Sequence, residues 1–328
     1  MKKFRFAVLG PGRIARHFAD AVSQIPECEI CAVASKSQER AQTFVNEFGI
    51  AGAYGDYAEM LEREHPDCAY ISTTHDSHFE LCRLCVEHDV PVLCEKTMFT
   101  SASEAEVLLS MAEDKKIFTM EAMWSRFLPS VMKARAWVAE GRIGKPKFGE
   151  MSIGFVSSKD PSDRIVNPKL GGGAALDISV YAYDLLTWVI DNPVVRVSAE
   201  ATPAFTGVDG SNVLLIRFED DVIGICKSSV QIHPEEYLRV EGDKGRIYLP
   251  HSHVGGVAQL YEADTLVESF HDDSTCNGFV YEIREAMRCV NEGLIESPIC
   301  SHRMTRDYAK ISELIMKASQ KGTCLTLA

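Results

Sequence analysis

The sequence lacks the long apolar run that a membrane-spanning helix requires, since polar residues interrupt every stretch of about 18 residues. It is also poor in positive charge: 34 Lys and Arg stand against 47 Asp and Glu, a formal net charge of −13. An acidic surface repels phosphate backbones, so nucleic acid is not expected as a partner. The apolar run near the N-terminus is too short for a signal peptide, so we expect a cytoplasmic protein without a membrane partner.

Cysteine is plentiful, but zinc-binding spacing is missing. The eleven cysteines include two Cys-x-x-Cys pairs, Cys28/Cys31 and Cys82/Cys85. The gap between the pairs does not match common zinc-ribbon spacing. The first pair enters a predicted strand, where residues three apart face opposite sides, and the second lies on a predicted helix among apolar residues. We therefore predict buried free thiols in a reducing compartment and no metal site.

The first strand and turn carry the main signal for function. Apolar residues 6–9 are followed at once by Gly10 and Gly12, and then by Ala15 in a helical pattern. Gly10 permits a tight turn, Gly12 lets the backbone approach a pyrophosphate, and Ala15 keeps the helix close to the strand. The helix N-terminus offers free N–H groups to phosphates. This stretch predicts a dinucleotide-binding βαβ unit, with an ordinary strand–helix turn as the alternative.

The end of the second predicted strand bears on the choice of cofactor. Folds that prefer NAD usually place Asp or Glu here to bond the ribose 2′-hydroxyl. This chain has Ser35, Lys36 and Ser37 instead, with Arg40 one turn into the next helix. A hydroxyl beside two positive charges favours a 2′-phosphate, so we predict NADP, with NAD possible. An exposed Lys and Arg without a specific role are the alternative.

Two further strands end in polar residues at the predicted ligand-binding edge of the sheet. Residues 68–73 lead into a polar loop, and residues 90–94 lead into Glu95 and Lys96. Ligands bind at the carboxyl ends of strands in doubly wound sheets, so Lys96 is a candidate for chemistry as well as a possible solvated lysine. The residues predicted to bind the cofactor are Gly10, Gly12, Arg13, Ile14, Ser35, Lys36, Arg40, Thr73, Thr74, His75, His78 and Glu95.

The second half of the chain has a different pattern. From residue 147 alternating apolar residues predict strands, and helices return only at 278–293 and 303–319. We place a boundary between residues 122 and 123, with no internal repeat, low-complexity tract or long linker. Residues 1–122 are predicted as an NADP-binding Rossmann domain with a doubly wound parallel sheet, and 123–328 as an α+β domain with a large, mostly antiparallel open sheet. The predicted strands are 147–156, 195–201, 211–218, 221–230, 237–248 and 257–270.

One apolar segment interrupts this predicted sheet. Three glycines at 171–173 lead into a helix that continues to Trp188. Asp177, Tyr181 and Asp184 recur along one face of it at spacings of four and three. Buried polar side chains are costly without a purpose, so the stripe indicates a site, with a solvent-exposed face as the alternative.

The glycine turn, the segment Glu95-Lys96-Thr97 and the helix of residues 171–184 together resemble the glucose–fructose oxidoreductase, inositol dehydrogenase and MocA family (Gfo/Idh/MocA), in order and spacing over nearly the whole chain. Residues 121–129 and Tyr181 are similar to the branch of dimeric dihydrodiol dehydrogenases and NADP-dependent xylose dehydrogenases. The resemblance implies an oxidoreductase that transfers a hydride between the nicotinamide and a hydroxyl or carbonyl carbon of a sugar or cyclic diol. It also implies a homodimer formed through the C-terminal sheet.

The resemblance implies roles for single residues. Lys96 would lie beside the nicotinamide and substrate, and Asp177 would contact substrate hydroxyls. Tyr181 takes the position where many members have a catalytic histidine and the dihydrodiol branch has a tyrosine. Two departures are Thr97 for the proline of Glu-Lys-Pro and His75 for the proline of Thr-Pro. We expect Tyr181 as the acid and base with Lys96 lowering its pKa, or Lys96 itself as the proton carrier.

Other candidates complete the prediction. Trp124 and Phe155 either form an apolar wall for the substrate or belong to the core, and Arg126 is predicted to bind substrate. The pair His251 and His253 lacks a nearby cysteine or carboxylate cluster and is interpreted as a loop. Two other functions stay open: a catalytically silent NADP-binding sensor, and a redox-neutral hydrolase or lyase that uses the nicotinamide transiently.

Overall fold

The computed structural model describes residues 2–327, and within them the first part of the chain forms a six-stranded parallel sheet. The strand order is 3-2-1-4-5-6, that of a doubly wound Rossmann sheet, which confirms the predicted fold class. The strands are β1 (Phe4–Leu9), β2 (Cys28–Ala34), β3 (Gly52–Tyr54), β4 (Cys68–Ile71), β5 (Val92–Glu95) and β6 (Thr119–Ala122). The helices between them are α1 (Arg13–Ser23), α2 (Gln38–Phe48), α3 (Tyr57–Glu64), α4 (His78–Glu87) and α5 (Ala102–Lys115).

The sequence explains where these elements begin. Residues 6–9 of β1 are fully buried, as expected for a parallel strand with both faces covered. Side-chain oxygens of Ser37, Asp56 and Ser101 accept hydrogen bonds from the first turns of α2, α3 and α5, and these caps fix the helix starts. Gly49 ends α2 in the left-handed conformation, with φ 68°.

The second half builds a larger sheet, which among the described residues has nine strands. Its order is 14-13-12-11-7-10-9-8-15, and its neighbouring strands are antiparallel except for the parallel pair of strands 7 and 10. The elements in chain order are α6 (Pro129–Ala139), β7 (Pro146–Gly154), α7 (Ala174–Asp177), α8 (Ser179–Ile190), β8 (Val194–Pro203), β9 (Asp209–Phe218), β10 (Ile223–Ser229), β11 (Tyr237–Gly242), β12 (Arg246–Pro250), β13 (Val257–Glu262), β14 (Thr265–His271), α9 (Phe279–Asn291), α10 (His302–Lys321) and β15 (Leu325–Leu327).

The predicted strands of this half differ from the structure at two turns. Residues 237–248 hold two strands, β11 and β12, and residues 257–270 hold β13 and β14. Ala263 adopts a positive φ of 48° between the latter two, which reverses the chain where the sequence alternation continues. Residues 219–221, where the predicted strands 211–218 and 221–230 meet, form the turn that joins β9 and β10 in an antiparallel pair. The short strands β3 and β15 were not predicted.

The predicted helix of residues 171–188 is interrupted. Ile178 leaves helical geometry, with φ −128°, and so separates α7 from α8. The segment Pro168–Ile190 is long and apolar enough by composition to cross a membrane, and 89% of its most apolar window is buried inside the structure. Helix α8 packs on the sheet against β7 and β10, which accounts for its apolar character.

The chain clusters into two compact units. The first is the chain up to Trp124 together with Asn277–Arg306, and the second is Ser125–Cys276 together with the chain from Asp307. The predicted boundary between residues 122 and 123 assigned residues 277–306 to the second domain, whereas in the structure they cluster with the first. The reason is that α9 packs against α1, and the Asn277 amide donates to the backbone oxygen of His17.

Candidate functional site

The glycine turn of the first unit has the geometry of a phosphate-binding loop. Gly10 has φ 97°, and a β-carbon there would lie 2.6 Å from the Thr73 methyl group, so only glycine fits. Gly12 caps α1 without a side-chain hydrogen bond, which leaves the first N–H groups of the helix for a ligand. Arg13 is exposed and Ile14 half-buried in that first turn. The turn and helix therefore fit the pyrophosphate of a dinucleotide.

The end of β2 presents positive charge to solvent. Ser35 is buried, and its hydroxyl accepts the Ser37 N–H at 3.2 Å. The Ser37 hydroxyl in turn accepts the Arg40 N–H at 3.3 Å, which starts α2. Lys36 and Arg40 are exposed. The strand end therefore carries two hydroxyl groups and a lysine at residues 35–37, and none of these three side chains is a carboxylate.

Two buried histidines hold the loop that carries Lys96. Nε2 of His75 lies 3.3 Å from the Lys96 carbonyl oxygen. His78 lies with Nδ1 3.1 Å from the Thr97 carbonyl oxygen and Nε2 3.3 Å from that of Thr73. Burial, reinforced by the nearby His75, lowers the pKa of His78 to about 3, so the ring is neutral. Both histidines were predicted to bind cofactor, and the contacts seen here are to backbone oxygens; the peptide bond between Lys96 and Thr97 is cis.

Buried carboxyl groups surround the same loop. Tyr70 donates its hydroxyl to Glu95 at 2.5 Å, and both side chains are buried. Glu282 of α9 is fully buried, and burial together with the Glu95 charge raises its pKa well above the usual range. The carboxylate of Glu121 accepts the Met98 N–H at 2.9 Å, which fixes the chain just after Lys96.

No sequence pattern indicates that Glu282 lies close enough to Glu95 to be affected by its charge. This residue is distant along the chain from β5, and the amphipathic pattern of α9 identifies only its apolar face. A single buried glutamate in such a helix carries no motif. The half-buried Trp124 also gains an unforeseen neighbour from α9, since its ring lies 5.3 Å from the ring of Phe279.

Asp177 ends the short helix α7 in the second unit, and a hydrogen bond near each end holds this helix in place. Oδ1 of Asp177 accepts a hydrogen bond from Nη1 of Arg164 at 2.8 Å. At the other end of α7, Asp209 of β9 accepts the Ala175 N–H at 2.7 Å, and burial raises the pKa of Asp209 to about 6. Gly173 has φ 122°, and a β-carbon there would collide with the Asp209 carboxylate. These contacts fix the short helix that presents Asp177.

Tyr181 lies in the first turn of α8 and packs on a histidine. The ring centroids of Tyr181 and His253 are 5.1 Å apart, at an interplanar angle of 50°. Nδ1 of His253 lies 2.6 Å from Oε1 of Glu236. Residues 251–253 lie in a turn, as predicted. The contact of His253 with Tyr181 was not predicted, because the two residues are far apart in the sequence.

Arg126 pairs with a buried carboxylate. Its Nη2 lies 3.3 Å from Oδ1 of Asp184, and both side chains are buried. The guanidinium also lies over the ring of Trp188, which Arg135 covers as well. The ion pair balances two buried charges, and the role of Arg126 in substrate binding stays a prediction.

The polar stripe on the helix is buried. Asp177, Tyr181 and Asp184 are 4%, 6% and 2% exposed, so the alternative of a solvent-exposed face is wrong. Phe155, at the end of β7, is half-buried, and its N–H donates to the Ser229 oxygen. The three predicted catalytic residues are divided between the units, with Lys96 in the first and Asp177 and Tyr181 in the second.

The cysteines form no disulfide bond in the described part of the chain. All eleven cysteines lie in the described part of the chain and are free, nine of them buried, while Cys276 and Cys324 are exposed. Within residues 2–327, no group of three or more His, Cys, Asp or Glu side chains is arranged to hold a metal ion.

A glycine turn on a doubly wound sheet, with a lysine at the carboxyl end of β5, defines a nicotinamide-dependent oxidoreductase. The family model described as "Oxidoreductase family, NAD-binding Rossmann fold" matches residues 4–122, and the GFO/IDH/MocA C-terminal domain model matches residues 131–248. The chain belongs to the Gfo/Idh/MocA oxidoreductase family, which confirms the resemblance.

Individual relatives extend this comparison. Trans-1,2-dihydrobenzene-1,2-diol dehydrogenase of Mus musculus is 29% identical over 324 residues, 96% of each chain. Aldose-aldose oxidoreductase from Caulobacter crescentus, at 20% identity, superposes with a TM-score of 0.90 over 99% of this chain and 100% of its own. Levoglucosan dehydrogenase in complex with NADH and L-sorbose, at 17% identity, has a TM-score of 0.89 over the full length of both chains. The two structural matches establish the fold.

Proposed function

We propose that the protein is an NADP-dependent dehydrogenase or reductase that acts on a CH–OH carbon of a sugar or cyclic diol. The observation that carries the proposal is the loop at the carboxyl end of β5, where His75 and His78 hold the backbone of Lys96 in the same unit as the glycine turn. The names of the relatives support the substrate class, since they include a diol dehydrogenase, an aldose oxidoreductase and a levoglucosan dehydrogenase.

The first unit supplies the cofactor contacts in this proposal. Gly10, Gly12 and the N-terminus of α1 would hold the pyrophosphate, and Lys36 and Arg40 would pair with the 2′-phosphate. When bound, the nicotinamide supplies or accepts the hydride. The contacts of Lys36 and Arg40 are exposed to water, so their preference for NADP over NAD weakens with added salt.

The chemistry needs a residue that takes the hydroxyl proton and a positive charge that favours the resulting anion. We assign the proton to the hydroxyl of Tyr181 and the positive charge to Lys96. A free phenol has a pKa of about 10, so without such a charge it is a poor base near neutrality. The Tyr181→Phe enzyme distinguishes this mechanism from proton transfer by Lys96 itself. If Lys96 transfers the proton, the Tyr181→Phe enzyme should keep most of its turnover.

Asp177 would orient the substrate. A carboxylate accepts hydrogen bonds from neighbouring hydroxyl groups, which sugars and diols both offer. Arg164 donates to one of its oxygens at 2.8 Å, which aligns the carboxyl group. We expect loss of Asp177 to raise the KM for a polyol much more than the Kd for NADP.

The direct test is reduction of NADP and of NAD across a panel of aldoses, inositols and cyclic diols, followed by the absorbance of the reduced nicotinamide. Turnover with NADP on one class supports the proposal. Tight NADP binding without turnover on any compound favours the sensor. Conversion of a compound without net formation of reduced cofactor favours a redox-neutral hydrolase or lyase.

A homodimer formed through the second sheet is part of the proposal. Helices α6 and α8 pack on one face of this sheet, while Val213, Leu215 and Ile223 on the other face are 44%, 50% and 37% exposed. Apolar side chains in such a row are typical of a surface that another chain covers. Light scattering on a size-exclusion column tests it: the native chain should have the mass of two copies, and Leu215→Glu the mass of one.

A further inference from the structure

The turn after β12 places an imidazole against the tyrosine of α8. His253 and Tyr181 have ring centroids 5.1 Å apart, within the range of packed aromatic pairs. Tyr181 is buried and His253 is 23% exposed, so the imidazole keeps contact with water while its partner does not. An ionisable ring therefore lies directly on the residue to which the proposed function assigns the proton.

Glu236 fixes the orientation of that imidazole. The same carboxylate oxygen accepts the His253 backbone N–H at 3.1 Å and lies 2.6 Å from Nδ1 of the ring. Burial raises the pKa of Glu236, but the bonds from His253 outweigh it and lower the pKa overall, so the group is a carboxylate. A carboxylate only accepts, so Nδ1 carries a hydrogen and Nε2 is the atom that gains or loses a proton.

The backbone of the turn is anchored as well. The Ser125 hydroxyl donates to the His253 carbonyl oxygen at 2.6 Å, and the Ser130 hydroxyl donates to that of Gly255 at 2.7 Å. The His251 N–H donates to the backbone oxygen of Glu236 at 3.0 Å. With the chain held on both sides of His253, its ring has little freedom to leave Tyr181.

We propose that His253, oriented by Glu236, is a positioning residue that fixes the phenol ring of Tyr181. The inference rests on the proposed role of Tyr181 as acid and base. The imidazole packs on the phenol, and the Glu236 carboxylate holds the imidazole through Nδ1. Loss of either contact leaves the phenol ring less well aligned, so proton transfer slows while cofactor binding is unaffected.

The test compares His253→Gln and Glu236→Gln with His233→Gln, a control at an exposed histidine of the same unit. We expect both test variants to lower kcat about tenfold, with the KM for substrate and the Kd for NADP nearly unchanged. His253→Phe keeps an aromatic ring against Tyr181 and should recover part of the lost kcat. The control should keep the native kinetics.

A readout independent of turnover is the flipping rate of the Tyr181 ring, followed by NMR on protein with ring-labelled tyrosine and assigned with Tyr181→Phe. The ring should flip faster in His253→Gln and in Glu236→Gln than in the native protein. An unchanged flipping rate and an unchanged kcat in folded His253→Gln overturn the inference while leaving the proposed function intact. If His253→Gln does not fold, the same two measurements on Glu236→Gln decide. Full turnover by Tyr181→Phe instead overturns the assigned role of Tyr181, and the inference with it.

Discussion

Glu282 is buried beside the charge of Glu95, and neither of its carboxyl oxygens has a hydrogen-bond partner within residues 2–327. Two carboxyl groups that share a water-free site cannot both ionise at low cost. The Tyr70 hydroxyl donates to Glu95, whereas no donor within residues 2–327 reaches Glu282. Burial and the charge of Glu95 therefore keep Glu282 protonated.

This arrangement predicts that Glu282→Gln stabilises the protein at neutral and alkaline pH. The folded pKa of Glu282 is raised above its ordinary value of 4.5, so the native chain loses stability as the pH rises from that value. Glutamine has the same shape and cannot ionise. Urea unfolding at about pH 8 should show a gain of about 1–3 kcal/mol over the native chain, shrinking toward zero near pH 4.5. Glu292→Gln, on the exposed end of α9, should stay within about 0.5 kcal/mol of the native chain at both pH values.

His78 predicts the opposite pH dependence. Its folded pKa is lowered from 6.5 to about 3, so the native chain loses stability as the pH falls through that window, because only the unfolded chain takes up the proton. His78→Asn should flatten this dependence and reduce stability near neutrality by about 1–3 kcal/mol, because the neutral ring donates its one N–H to the carbonyl oxygen of Thr73 or Thr97, and that oxygen loses its donor. Thermal unfolding across this pH range measures both effects. If the stability of His78→Asn depends on pH as steeply as that of the native chain, a group other than His78 causes the dependence.

Lys36 and Arg40 are expected to select NADP. The double variant Lys36→Ala/Arg40→Ala should weaken NADPH binding by about two orders of magnitude or more, since each charged contact contributes about 1.5–3 kcal/mol, and should leave NADH binding nearly unchanged. Titration calorimetry with both cofactors measures the ratio. Arg63→Ala, which removes an exposed arginine that pairs with Glu59, is the matched control. Equal losses for NADPH and NADH would contradict recognition of the 2′-phosphate.

Lys96→Met should reduce turnover by about two orders of magnitude or more, while the Kd for NADP changes little. Methionine keeps the length of the side chain and removes only its charge. Lys3→Met, at an exposed lysine, is the control. Retained turnover in the folded Lys96 variant would refute its role in the reaction.

Asp209→Ala should raise the KM for substrate about tenfold without changing the Kd for NADP. The Ala175 N–H at the start of α7 loses its acceptor, so the helix that presents Asp177 loosens. Leaving this buried N–H without an acceptor also reduces the free energy of unfolding by about 1–3 kcal/mol. Steady-state kinetics with varied substrate checks the first effect, and Asp221→Ala, at the exposed β9–β10 turn, should show neither. A change in kcat alone would place Asp209 in another role.

The first sheet was predictable because its information is local. Gly10 and Gly12 follow a buried strand directly, and the turn needs nothing beyond those residues to form. Lys96 was identified for the same reason, since the end of a parallel strand is visible in the sequence. The pattern of Asp177, Tyr181 and Asp184 was also local, although the break at Ile178 was not foreseen.

What the sequence could not show depends on distant contacts. The ion pair of Arg126 with Asp184, which lies on another helix, was not indicated by the sequence. His253 looked like an isolated loop histidine until the fold placed it against Tyr181. In each case the pair is formed by residues far apart in sequence, and no local pattern specifies such a pair.

The assignment of Asn277–Arg306 to the first unit has a consequence for synthesis of the chain. The strands of the parallel sheet leave the ribosome early, but α9 follows only after strands β7 to β14 of the second sheet have been translated. Until then the surface of α1 that packs on α9 is uncovered. Because domains generally fold as units during synthesis, the nucleotide-binding unit completes its core late, and a shortened chain ending near Trp124 should be prone to aggregation.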